Sequence, residues 1–173
     1  MEMYYFWFVV VLLMAPVALA DEPDFIDGYG RYFEVSADVA IPEGTHFKVA
    51  FDVAKTEVGE FSGAINSAAR FYNMHLAHGV AEDEMTLAVV LHGAATHEVM
   101  NADAYRNRHD TENANIGLIE ALISAGVRVI VCGQSAAYHE VKKDDMIDGV
   151  EVALSAMTAH ALLVREGYTT NPF

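Results

Sequence analysis

Apolar residues alternate with polar or small residues along positions 46–53, which read HFKVAFDV. This period of two predicts a β-strand with one face against a hydrophobic core. Residues 86–91, TLAVVL, are a short apolar run rich in β-branched residues, residues 127–131 are mostly β-branched and apolar, and residues 150–154 form a further short segment of this type. Short runs of this kind are typical of strands buried on both faces of a parallel sheet. The pattern therefore predicts four strands.

The segments between these strands carry helical patterns. Apolar residues recur at steps of three and four along 60–78 and 113–125, and Ser155 is a suitable N-cap for a helix over 156–166. We expect a short helix at 94–101, an irregular polar segment at 102–112, and a loop with a helical turn or two at 135–145. Alternating strands and helices predict an α/β three-layer sandwich with a mainly parallel sheet.

The first twenty residues have the pattern of a secretory signal peptide. Residues 6–15 are apolar, and Ala18, Leu19 and Ala20 form a small-x-small cleavage site. The segment departs from this pattern because Glu2 is the only charge before the apolar run. It falls short of the ~20 apolar residues that span a bilayer, so we expect cleavage and export to the periplasm rather than an anchor.

The mature chain divides into two parts in this interpretation. Residues 21–44 are rich in Gly, Pro and acidic residues but keep several aromatic side chains, which predicts an extended arm lying on the domain or on a neighbouring subunit. Residues 45–173 form the α/β domain. The arm would add a fifth strand if it joined the sheet.

Composition excludes several classes of function. The 173 residues include 25 acidic and 10 basic side chains, a net charge of −15, which disfavours nucleic acid or an anionic membrane surface as a partner after leader cleavage. The single Cys excludes an intramolecular disulfide framework and zinc sites built from several thiolates. The sequence contains neither of the Gly-rich phosphate-binding motifs GxGxxG and GxxxxGK(S/T), so we expect no nucleotide cofactor.

Candidate chemistry lies where the second and third strands end. His92 and Cys132 follow these strands directly, and the carboxyl ends of parallel strands meet at one edge of the sheet. Gly93 and Gly133 come next and would let a ligand approach the backbone closely. Residues 133–135, Gly-Gln-Ser, lead into a helical segment, so Gln134 and Ser135 are expected to contribute backbone N–H groups to a ligand or to a Cys132 thiolate.

Each of these residues also has a purely structural interpretation. Cys132 is either a nucleophile for persulfide transfer or thiol exchange, or a small buried hydrophobe. His92 could orient or deprotonate the thiol, could join Cys132 in binding copper or zinc, or could be a hydrogen-bonded residue at a strand end. His75 and His78 have a spacing that can hold a metal but more often caps a helix. His97 and His139 are expected to flank the crevice. We interpret His46, His109 and His160 as surface or packing residues.

Residues 113–134, the run AGVRVIVCGQS at 125–135, the segment VVLHG at 89–93 and the closing Glu-Gly-Tyr at 166–168 resemble the DsrE/DsrF-like family. The resemblance is greatest to the exported branch and covers roughly residues 47–168. It implies a fold of the DsrE/YchN type and assembly into trimers or hexamers. The Cys that carries sulfur as a persulfide in the cytoplasmic sulfur-relay members maps to Cys132, whereas the resemblance to the exported branch implies no activity. The family's usual Arg-Gly step after this Cys is absent, and Tyr138, His139, Glu140 and Val141 stand there instead.

Two main hypotheses follow. In the first, Cys132 accepts sulfane sulfur from a donor protein or a small thiol with His92 as helper, and no cofactor is needed. In the second, the protein is a non-catalytic oligomer whose pockets hold a metal ion or small ligand. A third hypothesis makes the arm the docking element of a purely structural partner. Export argues against the first hypothesis, since cytoplasmic relay partners would be absent, yet we favour it over the second.

Overall fold

The protein is built around a five-stranded parallel sheet. The structure is a computed structural model that describes residues 25–171. The strands, in chain order, are β1 Phe47–Val53, β2 Met85–Leu91, β3 Arg128–Cys132, β4 Glu151–Ala153 and β5 Thr169–Asn171. They lie in the order β4-β3-β2-β1-β5, and every pairing is parallel. The central strands β2 and β3 are the segments rich in apolar β-branched residues, as expected for positions buried on both faces, and β1 is the alternating segment.

Five α-helices connect and cover the strands. They are α1 Gly63–Ala77, α2 Ala102–His109, α3 Ile116–Ser124, α4 Gly133–Tyr138 and α5 Ala156–Arg165, and a 3₁₀ segment at Gly93–Val99 follows β2. Helices α1 and α3 cover one face of the sheet, and α5 covers the other. Two helical layers with a parallel sheet between them make the three-layer α/β sandwich that the sequence pattern predicts.

The two faces of the sheet carry side chains of different sizes. The face under α1 and α3 carries large residues such as Phe51, Val89 and Val131. The face under α5 carries the small Ala50 and Ala88 beside Val90 and Ile130, and α5 packs on it through Ala156, Ala159 and Leu163. Small side chains let the helix axis approach the sheet closely. Residues at the carboxyl ends of the strands are therefore brought close to the start of α5.

The structure corrects two details of the sequence interpretation. The fifth strand is the C-terminal β5, which pairs with β1, whereas the arm forms no strand within the described residues. The segment 102–112, expected to be irregular, contains α2. Its outer positions are polar, so a hydrophobic pattern does not show it. Asn101 caps its N-terminus by accepting from the Ala104 N–H at 3.0 Å, and Asp110 ends it in the left-handed region at φ 55°.

The start of the described arm is held against α1 by two asparagine side chains. The Asn73 oxygen accepts from the Ile26 N–H at 2.9 Å, and its amide donates to the carbonyls of Ile26 and Tyr29 at 3.2 and 3.1 Å. The Asn66 oxygen accepts from the Gly30 N–H at 2.8 Å. A Cβ on residue 30 would lie 2.4 Å from the Ala69 backbone, so the arm contacts α1 at a distance that only glycine permits.

Replacing Asn73 by alanine is expected to release this part of the arm. The change removes the side chain that binds backbone groups of Ile26 and Tyr29. A buried backbone group left without a hydrogen-bond partner costs about 1–3 kcal/mol. Amide hydrogen exchange at residues 26–30 should accelerate, and the free energy of unfolding should fall by about 1–3 kcal/mol. Asn107→Ala, on the exposed face of α2, is the control. Unchanged exchange at residues 26–30 would contradict this role.

The proposed leader, residues 1–20, lies outside the described residues. Between residues 25 and 171 no helix has the length and apolar character required to cross a membrane.

Candidate functional site

Cys132 and His92 lie next to each other at the carboxyl edge of the sheet. Leu91 pairs with Val131, so His92 and Cys132 are the next residues along neighbouring strands. Cys132 belongs to the cluster under α5, and His92 follows Val90 of that cluster at a spacing of two, which puts both residues on the α5 face. Their backbones are separated by one interstrand spacing, about 4.8 Å.

Cys132 ends β3 and caps α4, and its sulfur accepts hydrogen bonds. The Ser135 N–H donates to Sγ at 3.4 Å, and the Ser135 hydroxyl and the N–H groups of Ala156 and Gln134 also interact with the sulfur. Burial raises the pKa of the Cys132 thiol, but these donors outweigh burial and the pKa lies below that of an ordinary cysteine. The Ser135 hydroxyl also accepts from the Gly93 N–H at 3.1 Å, which joins the loops after β2 and β3.

The sulfur is nevertheless almost covered. Cys132 is only 5% exposed and belongs to a cluster of apolar residues. Its surroundings thus combine features of both sequence interpretations: the apolar neighbours of a packing cysteine and the converging donors of a stabilised thiolate. A reagent that reaches this sulfur in the single chain has to be small.

The glycines after these residues are required by packing. Gly93 has φ 55°, and a Cβ there would lie 2.9 Å from the Ala54 carbonyl oxygen. A Cβ on Gly133 would lie 2.6 Å from the Ala153 carbonyl oxygen. Both residues let the chain turn tightly against a neighbouring strand end. Gln134 is exposed, and its amide donates to the Leu154 carbonyl at 3.4 Å.

Asp52 joins two histidines at the same edge of the sheet. The His160 Nε2 lies 2.7 Å from the Asp52 Oδ1, and the His92 Nε2 lies 3.2 and 3.3 Å from the two carboxylate oxygens. A carboxylate only accepts, so both rings carry a proton on Nε2. Burial raises the pKa of Asp52, but the hydrogen bonds from His160 and His92 have the larger combined effect in the opposite direction. The carboxyl therefore has a pKa below its usual value.

This arrangement gives each imidazole a defined orientation. When the ring is neutral, Nδ1 is its unprotonated nitrogen and can accept a proton, as in other Asp–His pairs. The Nδ1 of His160 is buried without a hydrogen-bond partner among residues 25–171. His92 is the more exposed of the two, with 30% of its side chain accessible. His92 is therefore the ring better placed to exchange a proton with a small molecule.

Sequence reasoning missed Asp52 and His160 as site residues. Asp52 lies two residues after the buried Ala50 on the face that β1 presents to α5, and His160 lies one helical turn after the buried Ala156. A polar residue on each of two surfaces that pack together is the signal that could have found them. The two positions are 108 residues apart, so only the fold brings them together.

The other histidines lie elsewhere in the fold. His97, His109 and His139 form a group of rings with centroid separations of 4.6–4.7 Å, and burial together with neighbouring positive charge lowers the pKa of His97 to about 4. The Nδ1 atoms of His75 and His78 each donate to the carbonyl four residues before them on α1. Over the part of the chain that the structure describes, no three His, Cys, Asp or Glu side chains are arranged to hold a metal ion.

Comparison with known proteins agrees with this architecture. The model of the DsrE/DsrF-like family matches residues 49–171. The chain belongs to the DsrE/DsrF-like family. The match begins inside β1 and ends at the last residue of β5, so it contains Asp52, His92, Cys132 and His160 and leaves the arm outside.

Among the solved structures similar to this DsrE/DsrF-like chain, that of MTH1491 shares its fold. A protein of unknown function from Methanobacterium thermoautotrophicum, MTH1491, is 17% identical, with a TM-score of 0.52 over 73% of this chain and 99% of that one. The YchN protein from E. coli is 19% identical, with a TM-score of 0.47 over 72% of this chain and 99% of that one. No curated protein matches the sequence. The family match and the MTH1491 structure confirm the predicted family and α/β fold class.

Proposed function

We propose that this DsrE/DsrF-like protein accepts and passes on sulfane sulfur through Cys132, after export by its N-terminal leader. The observation that carries the proposal is the convergence of hydrogen-bond donors on the Cys132 sulfur, with the Ser135 N–H at 3.4 Å. These donors favour the thiolate, and the thiolate is the form that attacks sulfur. Membership of the family supports a sulfur-related role for this position.

The proposed step needs no oxidant and no cofactor. The Cys132 thiolate attacks the outer sulfur of a small persulfide, RSSH, and a new S–S bond forms. The donor's own S–S bond breaks, and its electron pair leaves with RS⁻. The outer sulfur keeps its hydrogen, so the products are the Cys132 persulfide and a thiolate. Oxidation states balance, because the sulfane sulfur only changes its carrier.

The neighbouring imidazole has a defined part in this proposal. The His92 Nδ1 accepts the proton of the Cys132 thiol and then gives it to the departing RS⁻. Asp52 holds the ring by its Nε2–H and so keeps Nδ1 available for this exchange. The donor is a small molecule because Cys132 is nearly covered in the single chain.

Sulfur uptake can be tested by intact mass measurement, because Cys132 is the only cysteine of the chain. Wild-type protein treated with cysteine persulfide near neutral pH should gain the mass of one sulfur atom, and Cys132→Ser should gain none. Cyanide should then remove this sulfur as thiocyanate and restore the original mass.

Plain cysteine, which lacks the sulfane sulfur, is the matched control and should leave the mass unchanged. An unmodified wild-type protein after treatment with the persulfide would contradict the proposal. So would equal sulfur uptake by Cys132→Ser.

A further inference from the structure

The distal part of the arm exposes an unusual number of apolar side chains. Phe33, Val35, Ala37, Val39 and Ile41 occupy alternate positions, and we refer to them as the arm stripe. Phe33 is 70% exposed, Val35 64% and Val39 85%. Alternation of this kind is typical of a strand with one covered face, yet in the single chain this face is open to solvent.

The backbone of this segment is as open as its side chains. Within the described residues, positions 32–41 form no backbone hydrogen bond, although the first part of the arm is fastened to α1 as described above. The arm stripe and Ala40 line a cavity of about 470 Å³ whose other walls are Met74, His75 and His78 at the end of α1. An extended segment with free backbone groups and one apolar face is a template for pairing with another strand.

We propose that the arm pairs with the arm of a second copy of this chain, antiparallel about a two-fold axis at Ala37. This register places Phe33 opposite Ile41 and Val35 opposite Val39, so the arm stripes of both copies match apolar to apolar. It also places Arg31 opposite Glu43. The resulting two-stranded ribbon covers the α1 cavities of both copies. The chain bends at residues 38 and 39 in the single copy, and pairing extends it through this bend.

Charge complementarity selects the second copy as the occupant. Arg31 and Glu43 are both exposed, and they are the charged residues that flank the arm stripe on its two sides. The Arg31 guanidinium lies over the Phe33 ring at 5.1 Å, so this charge stands beside the arm stripe. The two remaining acidic residues do not oppose each other, since Glu34 meets Ala40 and Asp38 meets Ser36. Opposite charges across a strand pair stabilise it, and like charges would destabilise it.

Disulfide cross-linking tests this register directly. In a Cys132→Ser background, Ala37→Cys introduces the only thiol, and two copies of residue 37 face each other on the axis. Opposite residues of antiparallel strands have Cα atoms about 4.5–5.5 Å apart, within the range that a disulfide spans. Mild oxidation of the full chain should therefore give a covalent dimer at micromolar concentration.

Glu34→Cys in the same background is the matched control. Two copies of residue 34 are six positions out of register, about 20 Å apart, so they should cross-link poorly. Arg31→Glu and Glu43→Arg should each reduce the Ala37→Cys dimer severalfold, and the double reversal should restore it.

A monomeric Ala37→Cys protein would overturn the proposal, whether the arm stripe is covered by residues 1–24 of the same chain or by another partner. Equal cross-linking at residues 34 and 37, or a yield that ignores the charge reversals, would overturn it as well. None of these outcomes depends on sulfur uptake at Cys132, so the two proposals succeed or fail separately.

Discussion

Replacing Ser135 by alanine is expected to lower the thiolate fraction of Cys132 about tenfold at pH values below the thiol's titration midpoint. The Ser135 hydroxyl is the strongest of the donors that lower the pKa of Cys132, and a hydrogen bond to a charged group is worth about 1.5–3 kcal/mol. The backbone N–H of residue 135 remains, which keeps the loss near the lower end of that range. The ultraviolet absorbance of the thiolate, followed against pH, measures the fraction directly.

The rate of alkylation should fall less than the thiolate fraction does. A more basic thiolate is a better nucleophile, with a Brønsted coefficient of about 0.4–0.5, so a tenfold loss of thiolate becomes roughly a threefold loss of rate. At alkaline pH, where the thiol of either protein is ionised, the variant should react at least as fast as the wild type. This crossing of the two pH–rate profiles distinguishes a changed pKa from a changed access route, which would slow the reaction at every pH.

Two further variants separate the roles of this hydroxyl. Ser135 also accepts from the Gly93 N–H, so alanine loosens the contact between two loops as well as removing a donor. Ser135→Thr keeps a hydroxyl and should restore the wild-type profile, whereas Ser124→Ala, on the exposed end of α3, should leave it unchanged. If the titration midpoint of the Cys132 thiol is the same in Ser135→Ala and in the wild type, Ser135 contributes only to the contact between the two loops.

The central sheet is predictable from the sequence because the burial of its strands also determines where apolar residues occur in them. Most residues of β2 and β3 are buried, so their apolar residues reveal them, β1 is revealed by its alternation, and the helical segments between these strands require parallel pairing. The edge strand β5 is only three residues long, polar and largely exposed. No hydrophobic pattern can reveal a strand whose pairing depends on the free edge of β1, and the arm was an equally reasonable candidate for that place.

The candidate site is predictable only as far as single strands determine it. Cys132 and His92 follow from the rule that parallel strands end at one edge of the sheet. Asp52 and His160 belong to different elements, and their contact depends on how closely α5 approaches β1. Ala50, Ala88 and Ala159 lie between the two elements, and such small residues do not stand out in a sequence. The partner of His92 is thus a property of packing, which periodicity alone does not give.

A buried carboxyl outside this site is expected to make the stability of the protein depend on pH. Glu98 is 1% exposed, and its oxygens accept from the Thr56 hydroxyl at 2.9 Å and the Asn115 amide at 2.7 Å. Asn115 also donates to the Glu60 carbonyl and accepts from the Ser62 N–H. Glu98 thereby joins the loop after β1, the segment after β2 and the start of α3. Burial raises the pKa of Glu98, although the hydrogen bonds from Asn115 and Thr56 offset part of this effect.

The raised pKa determines how stability depends on pH. The native protein holds the Glu98 proton to higher pH than the unfolded chain, whose carboxyl titrates near 4.5. The unfolded state therefore binds fewer protons in the window above 4.5, and the contribution of Glu98 to stability falls as pH rises through this window to the native pKa. Below the window the contribution is fully present, and above it the loss is constant.

Glu98→Gln should consequently be more stable than the wild type above this window, with a difference that grows as pH rises from about 4.5. Glutamine keeps the size of the side chain, its oxygen can accept from Asn115, and its amide can donate to the Thr56 hydroxyl. Glu98→Ala leaves the Asn115 amide without its Glu98 partner and opens a cavity, which should cost about 2–4 kcal/mol at every pH.

Urea unfolding across a pH series measures the stability differences of both variants from the wild type. Glu120→Gln, on the exposed face of α3, is the control for the loss of a negative charge. A glutamine variant whose advantage does not change with pH would show that Glu98 is ionised alike in the native and unfolded chains.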